Sequence, residues 1–209
     1  MGVKVDLDVD VVTVDGRRLT GHNAPRLYIL LNKPKGMISA LSDPEKRPVV
    51  TDLLKGIKTR VWPVGRLDYD AEGALLLTND GDLCNRLIHP RYSIPKRYMV
   101  KVRGVPSGAK LAKLERGISL EDGRTLPCKA RFDRHTNTKE NSWIELTVYE
   151  GRNRLVKRMC QAIGHPVNKL KRLEFAGLNI RGLKLGKHRK LTRAEVTRLQ
   201  NLNPPDEEK

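Results

Sequence analysis

The sequence predicts an α+β fold. Strand-like segments outnumber helical ones, they do not alternate regularly with helices, and no internal repeat of 20 to 50 residues organises them. A chain of 209 residues with 38% hydrophobic content can build a real core, in one large domain or two subdomains. The expected organisation is an N-terminal β element and linker (1–25), a main domain (26–202) of two subdomains around a basic cleft, and a disordered tail (203–209).

The elements follow in order. Up to His22, Val alternates with Asp or Thr and the chain turns at Asp15-Gly16, the pattern of a small β element. Residues 26–36, "RLYILLNKPKG", form a short apolar strand closed by Asn, Pro and Gly. The loop it feeds carries Lys33 and Lys35, two candidate contacts for an anionic partner. "VWPVGRLD" is a strand ending at Gly65 and "ALLLTNDGDL" the next, so Asp68 lies in a connection between two buried strands. Residues 80–88 place Leu83, Cys84, Leu87 and Ile88 at helical spacing, and His89-Pro90 ends that helix. "KRYMVKVRG" alternates as a strand. Ser107 opens a helix that Gly117 stops. "LPCKARF" and "SWIELTVYEG" are strands joined by a polar tip, His135 to Asn141. In "NRLVKRMCQAIG", Val156, Met159, Cys160 and Ile163 recur at i, i+3, i+4, i+7, and Gly164 closes the helix. Thr192 and Glu195 have the spacing of a capping box for a last helix.

Charge then narrows the partner. Lys plus Arg number 41 against 24 Asp plus Glu, a net +17, which favours a polyanion and above all nucleic acid. No stretch approaches the apolar length of a membrane-spanning helix, and no secretory signal opens the chain, so a cytoplasmic protein without a membrane partner is expected. Three dispersed cysteines and five histidines without ligand spacing support neither disulfides nor zinc. Phosphate-loop, dinucleotide-binding and serine-hydrolase motifs are absent.

Arg154, Lys157 and Arg158 share the helix face opposite the apolar stripe, with Arg152 just before them and no acid among them. A solvated charged face is the bland reading. Like charges this close repel, so a phosphate-facing surface is favoured, extended by Lys169, Lys171 and Arg172. Two Phe, two Trp and five Tyr are too few and too scattered for a base-stacking platform, so recognition should rest on backbone and shape. Tyr98 could stack on one base, and pattern alone fits equally a strand tyrosine packed on the core. Asp68 could cap a helix or close a turn, and nearby Asp70 and Glu72 make a carboxylate pair or a weak Mg²⁺ site conceivable.

"GRLDYDAEGALLLTNDGDL", "KRYMVKV" and "EGRNRLVKRMCQAIGHPVNKLKRL", in that order, resemble the signature segments of the RsuA/RluB-type ribosomal RNA pseudouridine synthases. The likeness spans residues 28 to 191. "LNKPKG" and "GLNIRGLKLGKHRKLT" also resemble that family, and "HPRYSIPKRYMVKVRG" with "LEDGRTLPCKA" is most similar to its large-subunit RluB branch. The resemblance implies a mixed, mainly antiparallel sheet flanked by helices, with a smaller α+β subdomain. It implies isomerisation of a uridine in 23S rRNA by base flipping, C–N glycosidic cleavage and rejoining through C5. Small-subunit rRNA is the alternative substrate, and a catalytically weak RNA-binding or ribosome-assembly protein the alternative role.

By the same resemblance Asp68 is the essential carboxylate, Tyr98 contacts the flipped base and Lys157 pairs with the aspartate. Val156 packs on the base, and Arg66 contacts RNA or holds the extruded nucleotide. No metal or organic cofactor is implied. The expected partner is an rRNA stem-loop, bound by a monomer. Where the family usually has Gln and Arg, this chain has Leu155 and Lys157; lysine keeps the charge and loses the bidentate fork. Many members begin with a small helical RNA-binding domain that has no counterpart here, and "DVVTVDGRRL" resembles the linker that would follow it.

Overall fold

The computed structural model describes residues 11–18, 25–133 and 140–204, together with Val5. The remainder of the N-terminal β element to His22, most of the polar tip at 134–139 and the tail from 205 lie outside the described residues. At the start, β1 (Thr13–Val14) and β2 (Arg17–Arg18) pair antiparallel across Asp15 and Gly16, whose φ angles of 49° and 74° suit a type I′ hairpin turn.

The body is a nine-stranded sheet. Its strands are β3 (Tyr28–Lys33), β4 (Trp62–Pro63), β5 (Glu72–Thr78) and β6 (Lys96–Arg103); β7 (Ser119–Leu120) and β8 (Gly123–Arg124) form a separate small ribbon. It continues with β9 (Lys129–Phe132), β10 (Asn141–Val148), β11 (Val167–Phe175), β12 (Leu178–Asn179) and β13 (His188–Lys190). The spatial order is β13-β3-β5-β11-β6-β10-β9, with β4 also on β5 and β12 also on β11. Every described pairing within it is antiparallel except β5 with β11.

Among the described residues four α-helices cover the sheet: α1 (Gly81–Ile88), α2 (Gly108–Glu115), α3 (Leu155–Ala162) and α4 (Arg193–Gln200). Period-two alternation on β5 explains why both faces need covering. Leu75 and Leu77 pack with α2 and α3 through Leu111, Leu114, Val156 and Met159. Leu76 packs on the other side with α1 and α4 through Leu83, Leu87 and Leu199. All three leucines are fully buried, and each such side chain stabilises the fold by about 1.5–3 kcal/mol. That anchors β5 from both faces.

The caps expected at Ser107 and Thr192 appear, and Asp80 adds one that apolar spacing alone did not indicate. Asp80 and Ser107 accept from Leu83 and Lys110 N–H groups at the starts of α1 and α2, and Thr192 with Glu195 closes a capping box on α4. Two boundaries differ from expectation. The strand anticipated through Gly65 reduces to Trp62–Pro63, with Val64 still donating to the Leu76 carbonyl before Gly65 turns at φ 69°. α3 starts at Leu155, because Arg154 adopts the left-handed conformation at φ 47°, ψ 30°.

Candidate active site

The connection from β4 to β5 is pinned from below through its backbone. Ser39 Oγ donates to the Leu67 carbonyl at 2.9 Å and accepts from the Leu67 N–H at 3.1 Å, while Gly36 N–H donates to the Tyr69 carbonyl at 2.8 Å. Lys33 closes the arrangement. Its ammonium, at the end of the wholly buried β3, donates to the carbonyls of Pro34, Asp68 and Ala71 at 3.1, 3.0 and 2.9 Å. Burial lowers its pKa to about 8.

The backbone held in this way presents the Asp68 side chain to α3. Lys157 Nζ lies 3.1 Å from Asp68 Oδ2 and 2.5 Å from Asp70 Oδ1, so one ammonium serves two carboxylates. The Lys157 hydrogen bond lowers the Asp70 pKa. Asp68 and Asp70 therefore converge as the sequence made conceivable, on an ammonium group. Asp68 remains a third exposed, against 14% for Lys157.

Behind Asp68 is a cavity of about 150 Å³. Its floor is the sheet, where Lys96, Tyr98 and Arg172 are neighbours; its walls are the 64–68 segment, the end of α1 and the 150–156 segment. Tyr98 is 8% exposed and belongs to the apolar cluster, yet its ring also borders the cavity, so both roles weighed for it are compatible with its place. Val156 and Leu155 line the wall. Arg66 and Arg154 are exposed at the rim, and among the described residues neither guanidinium has a hydrogen-bond or ion-pair partner. A broader groove of about 600 Å³ continues beyond Lys157, bordered by Arg154 and Arg158.

Several basic residues are placed differently from expectation. Lys33 does not face RNA, since it is fully buried and its donors are spent on carbonyls. Arg152 and Arg158 are not free phosphate ligands. Asp122, in the turn between β7 and β8, takes Arg152 Nη1 at 3.0 Å and Arg158 Nη1 at 2.8 Å, and Glu150 takes Arg152 Nε at 2.8 Å. The acid that relieves the repulsion comes from 30 residues upstream of Arg152, where spacing along the helix gave no signal. The Arg158 hydrogen bond holds the Asp122 carboxyl below its usual range. Lys169 is exposed and Lys171 borders a separate hollow with Arg97 and Arg181, whereas Arg172 points the other way and is buried in the cavity floor. Period-two alternation on β11 separates them. Lys35 is exposed on the loop after β3, away from the cavity lining.

Gly73 fixes the depth of the site. It has a φ of 116°, and a β-carbon there would collide with the Arg172 backbone in the parallel β5–β11 pairing. No side chain larger than hydrogen lets β11 pass this close beneath the Asp68 loop. The three cysteines are buried, with thiol pKa values pushed up by burial, to about 12 for Cys160 and about 11 for Cys128, which leaves them inert as nucleophiles.

Comparison with known proteins addresses the sequence and fold as a whole. Residues 27–162 match the model of the RNA pseudouridylate synthase family. The chain is 52% identical over 202 residues to the ribosomal large subunit pseudouridine synthase B of Bacillus subtilis, covering 97% of this chain and 82% of the relative. It is 37% identical over 203 residues to the protein of the same name in Pseudomonas aeruginosa, covering 94% of this chain and 52% of that one. A crystal structure of a pseudouridylate synthase superposes with a TM-score of 0.74 at 29% identity, over 94% of this chain and 83% of the other. A fold built around a loop aspartate paired to a helix lysine, carried on a sequence this similar along nearly its whole length, places the chain in the RNA pseudouridylate synthase family.

Proposed function

We propose that this protein converts one uridine of a large-subunit ribosomal RNA stem-loop to pseudouridine, acting as a cytoplasmic monomer. The observation that carries the reading is the Asp68 carboxylate, set 3.1 Å from the Lys157 ammonium at the mouth of a cavity bordered by Tyr98. A base inside a helix cannot reach such a carboxylate, so the uridine must leave its stack, at a cost of a few kcal/mol. Exposed Arg66 and Arg154 at the rim, with the groove beyond Lys157, are suited to hold the flanking backbone electrostatically. Tyr98 and Val156 bracket the base, and Asp68 is the essential carboxylate. The main domain, residues 26–202, supplies every one of these groups. The large-subunit assignment is supported by the names of the Bacillus and Pseudomonas relatives.

Tritium release from rRNA carrying 5-³H-uridine tests this, because rejoining at C5 expels the C5 hydrogen. Wild type should release tritium from 23S rRNA, and Asp68→Asn should not rise above background. Absence of release by wild type, or equal release by both proteins, rules the assignment out. Release from 16S rRNA alone would move the substrate to the small subunit.

A further inference from the structure

Arg172 is 2% exposed in the middle of the sheet. It lies opposite Gly73 on one neighbouring strand and opposite Tyr98 on the other, the tyrosine that borders the cavity. Its Nε donates to the Ala74 carbonyl at 2.6 Å, and its guanidinium carbon lies 4.9 Å from the centre of the Phe175 ring. Nη2 is buried and, among the described residues, has no hydrogen-bond partner. An arginine cannot shed its proton to escape that situation. Asp68 lines the same cavity. The β11 strand bulges directly after Arg172, and Gly73 permits the close approach of β5, so the guanidinium is held in place from the backbone outward. Lys96, two residues before Tyr98 on the same face, adds a second cation whose ammonium spends one hydrogen bond on the Ile94 carbonyl at 2.9 Å.

We propose that Arg172 is a catalytic residue whose guanidinium donates to a carbonyl oxygen of the extruded uracil and holds the negative charge the base carries once it has left the sugar. The assignment rests on the pseudouridine synthase reading given above. When the C1′–N1 bond breaks, its electron pair stays with the base and, in the free uracil anion, spreads over O2 and O4. A fixed cationic donor in a closed site stabilises that charge without reorganising. The pair is then returned as the new C5–C1′ bond, the C5 proton passes to solvent, and N1 takes up a proton. The isomerisation balances with no oxidant or reductant. Arg172 thus leaves the RNA-backbone surface on which its sequence position had placed it and joins the base pocket.

The test is a cycle between protein and substrate. Stem-loop RNAs carry uridine, 2-thiouridine or 4-thiouridine at the target position, since sulfur accepts a hydrogen bond poorly, and single-turnover rates are measured with wild type and Arg172→Gln. The variant should slow conversion of uridine by about 100-fold or more, the usual effect of losing one such donor. Its affinity for RNA should stay within about threefold, because the guanidinium lies below the surface that meets phosphates. One of the two thio substitutions should slow wild type on the order of tenfold and add nothing in the variant. Equal thio effects in both proteins overturn the proposal, as does a parallel loss of rate and affinity. If Arg172→Gln does not melt as a native protein, Arg172→Lys goes through the same cycle with the same criteria. Inactivity of wild type on unmodified RNA sinks the underlying function; an active wild type with independent effects sinks only the role of Arg172.

Discussion

Replacing Lys157 by Met removes the one ammonium shared by Asp68 and Asp70. At the 3.1 Å separation from Asp68, Coulomb attraction lies between about 1.3 kcal/mol in water and about 5 kcal/mol at an effective dielectric near 20. Asp68 is a third exposed, so solvent screening holds the loss to roughly 1.5–3 kcal/mol. At 1.36 kcal/mol per decade, single-turnover conversion should fall roughly 10- to 150-fold. Asp70 then loses its closest cation, keeping only the more distant Arg154 and Lys33, and acts as a like charge beside Asp68. Adding Asp70→Asn to Lys157→Met should therefore recover several-fold of the lost rate, while Asp70→Asn alone stays within about threefold of wild type. Tritium release under single-turnover conditions gives the rate, and filter binding gives RNA affinity, which should change by less than about threefold. A Lys157→Met rate within threefold of wild type would refute the electrostatic reasoning. So would a fall in affinity matching the fall in rate, which would make Lys157 a phosphate ligand.

The same geometry separates two neighbouring arginines. Arg154→Ala should flatten the dependence of log Kd on log salt by about one unit, and Arg152→Ala, whose guanidinium is committed to Asp122 and Glu150, should leave the slope unchanged; titrations from 50 to 300 mM salt, a range of roughly six-fold, read this out. Gly73→Ala should destabilise by at least about 3 kcal/mol in urea unfolding, because a methyl group meets the Arg172 backbone and φ is unfavourable for it. Arg189 hydrogen bonds hold Glu195 at a pKa of about 2, below its unfolded value, so its stabilisation is present above pH 4.5 and is lost as pH falls towards 2. Glu195→Gln should cost about 1–2 kcal/mol at pH 7 through the cap and the ion pair, and thermal melts from pH 7 down to 3 should show a shallower decline than in wild type.

Local patterns in the sequence carried the framework further than they carried the electrostatics. The strand at Lys96 follows from alternation, those at Tyr28 and Glu72 from apolar runs bounded by turn residues, and the starts of α2 and α4 from Ser107 and Thr192, because caps and periodicity act over a few residues. Asp68 and Lys157 were visible through quoted motifs, and they do meet across 89 residues of chain. The partners of the other cations were not visible. Asp122 reaches Arg152 and Arg158 through a tertiary contact with no spacing rule, and Asp68 and Asp70 take Lys157, so of the four cations that looked uncompensated only Arg154 is left without an ion pair among the described residues. Lys33 looked like a loop cation because a lysine at a strand end is usually solvated; only the folded loop supplies the three carbonyls that bury it. Arg172 shares a basic run with Lys169 and Lys171, and the alternation that turns it inward was legible, though not the cavity awaiting it.

The grip of Lys33 has an evolutionary corollary. Its ammonium holds peptide oxygens alone, those of Pro34, Asp68 and Ala71, and is indifferent to which side chains decorate the segment it restrains. Tyr69 and Asp70, both exposed, lie between two gripped positions, so exchanging either side chain leaves the backbone grip on Asp68 and Ala71 in place. The path of the backbone is thereby uncoupled from the identity of these two side chains, and the segment can vary in sequence while its course past α3 stays fixed.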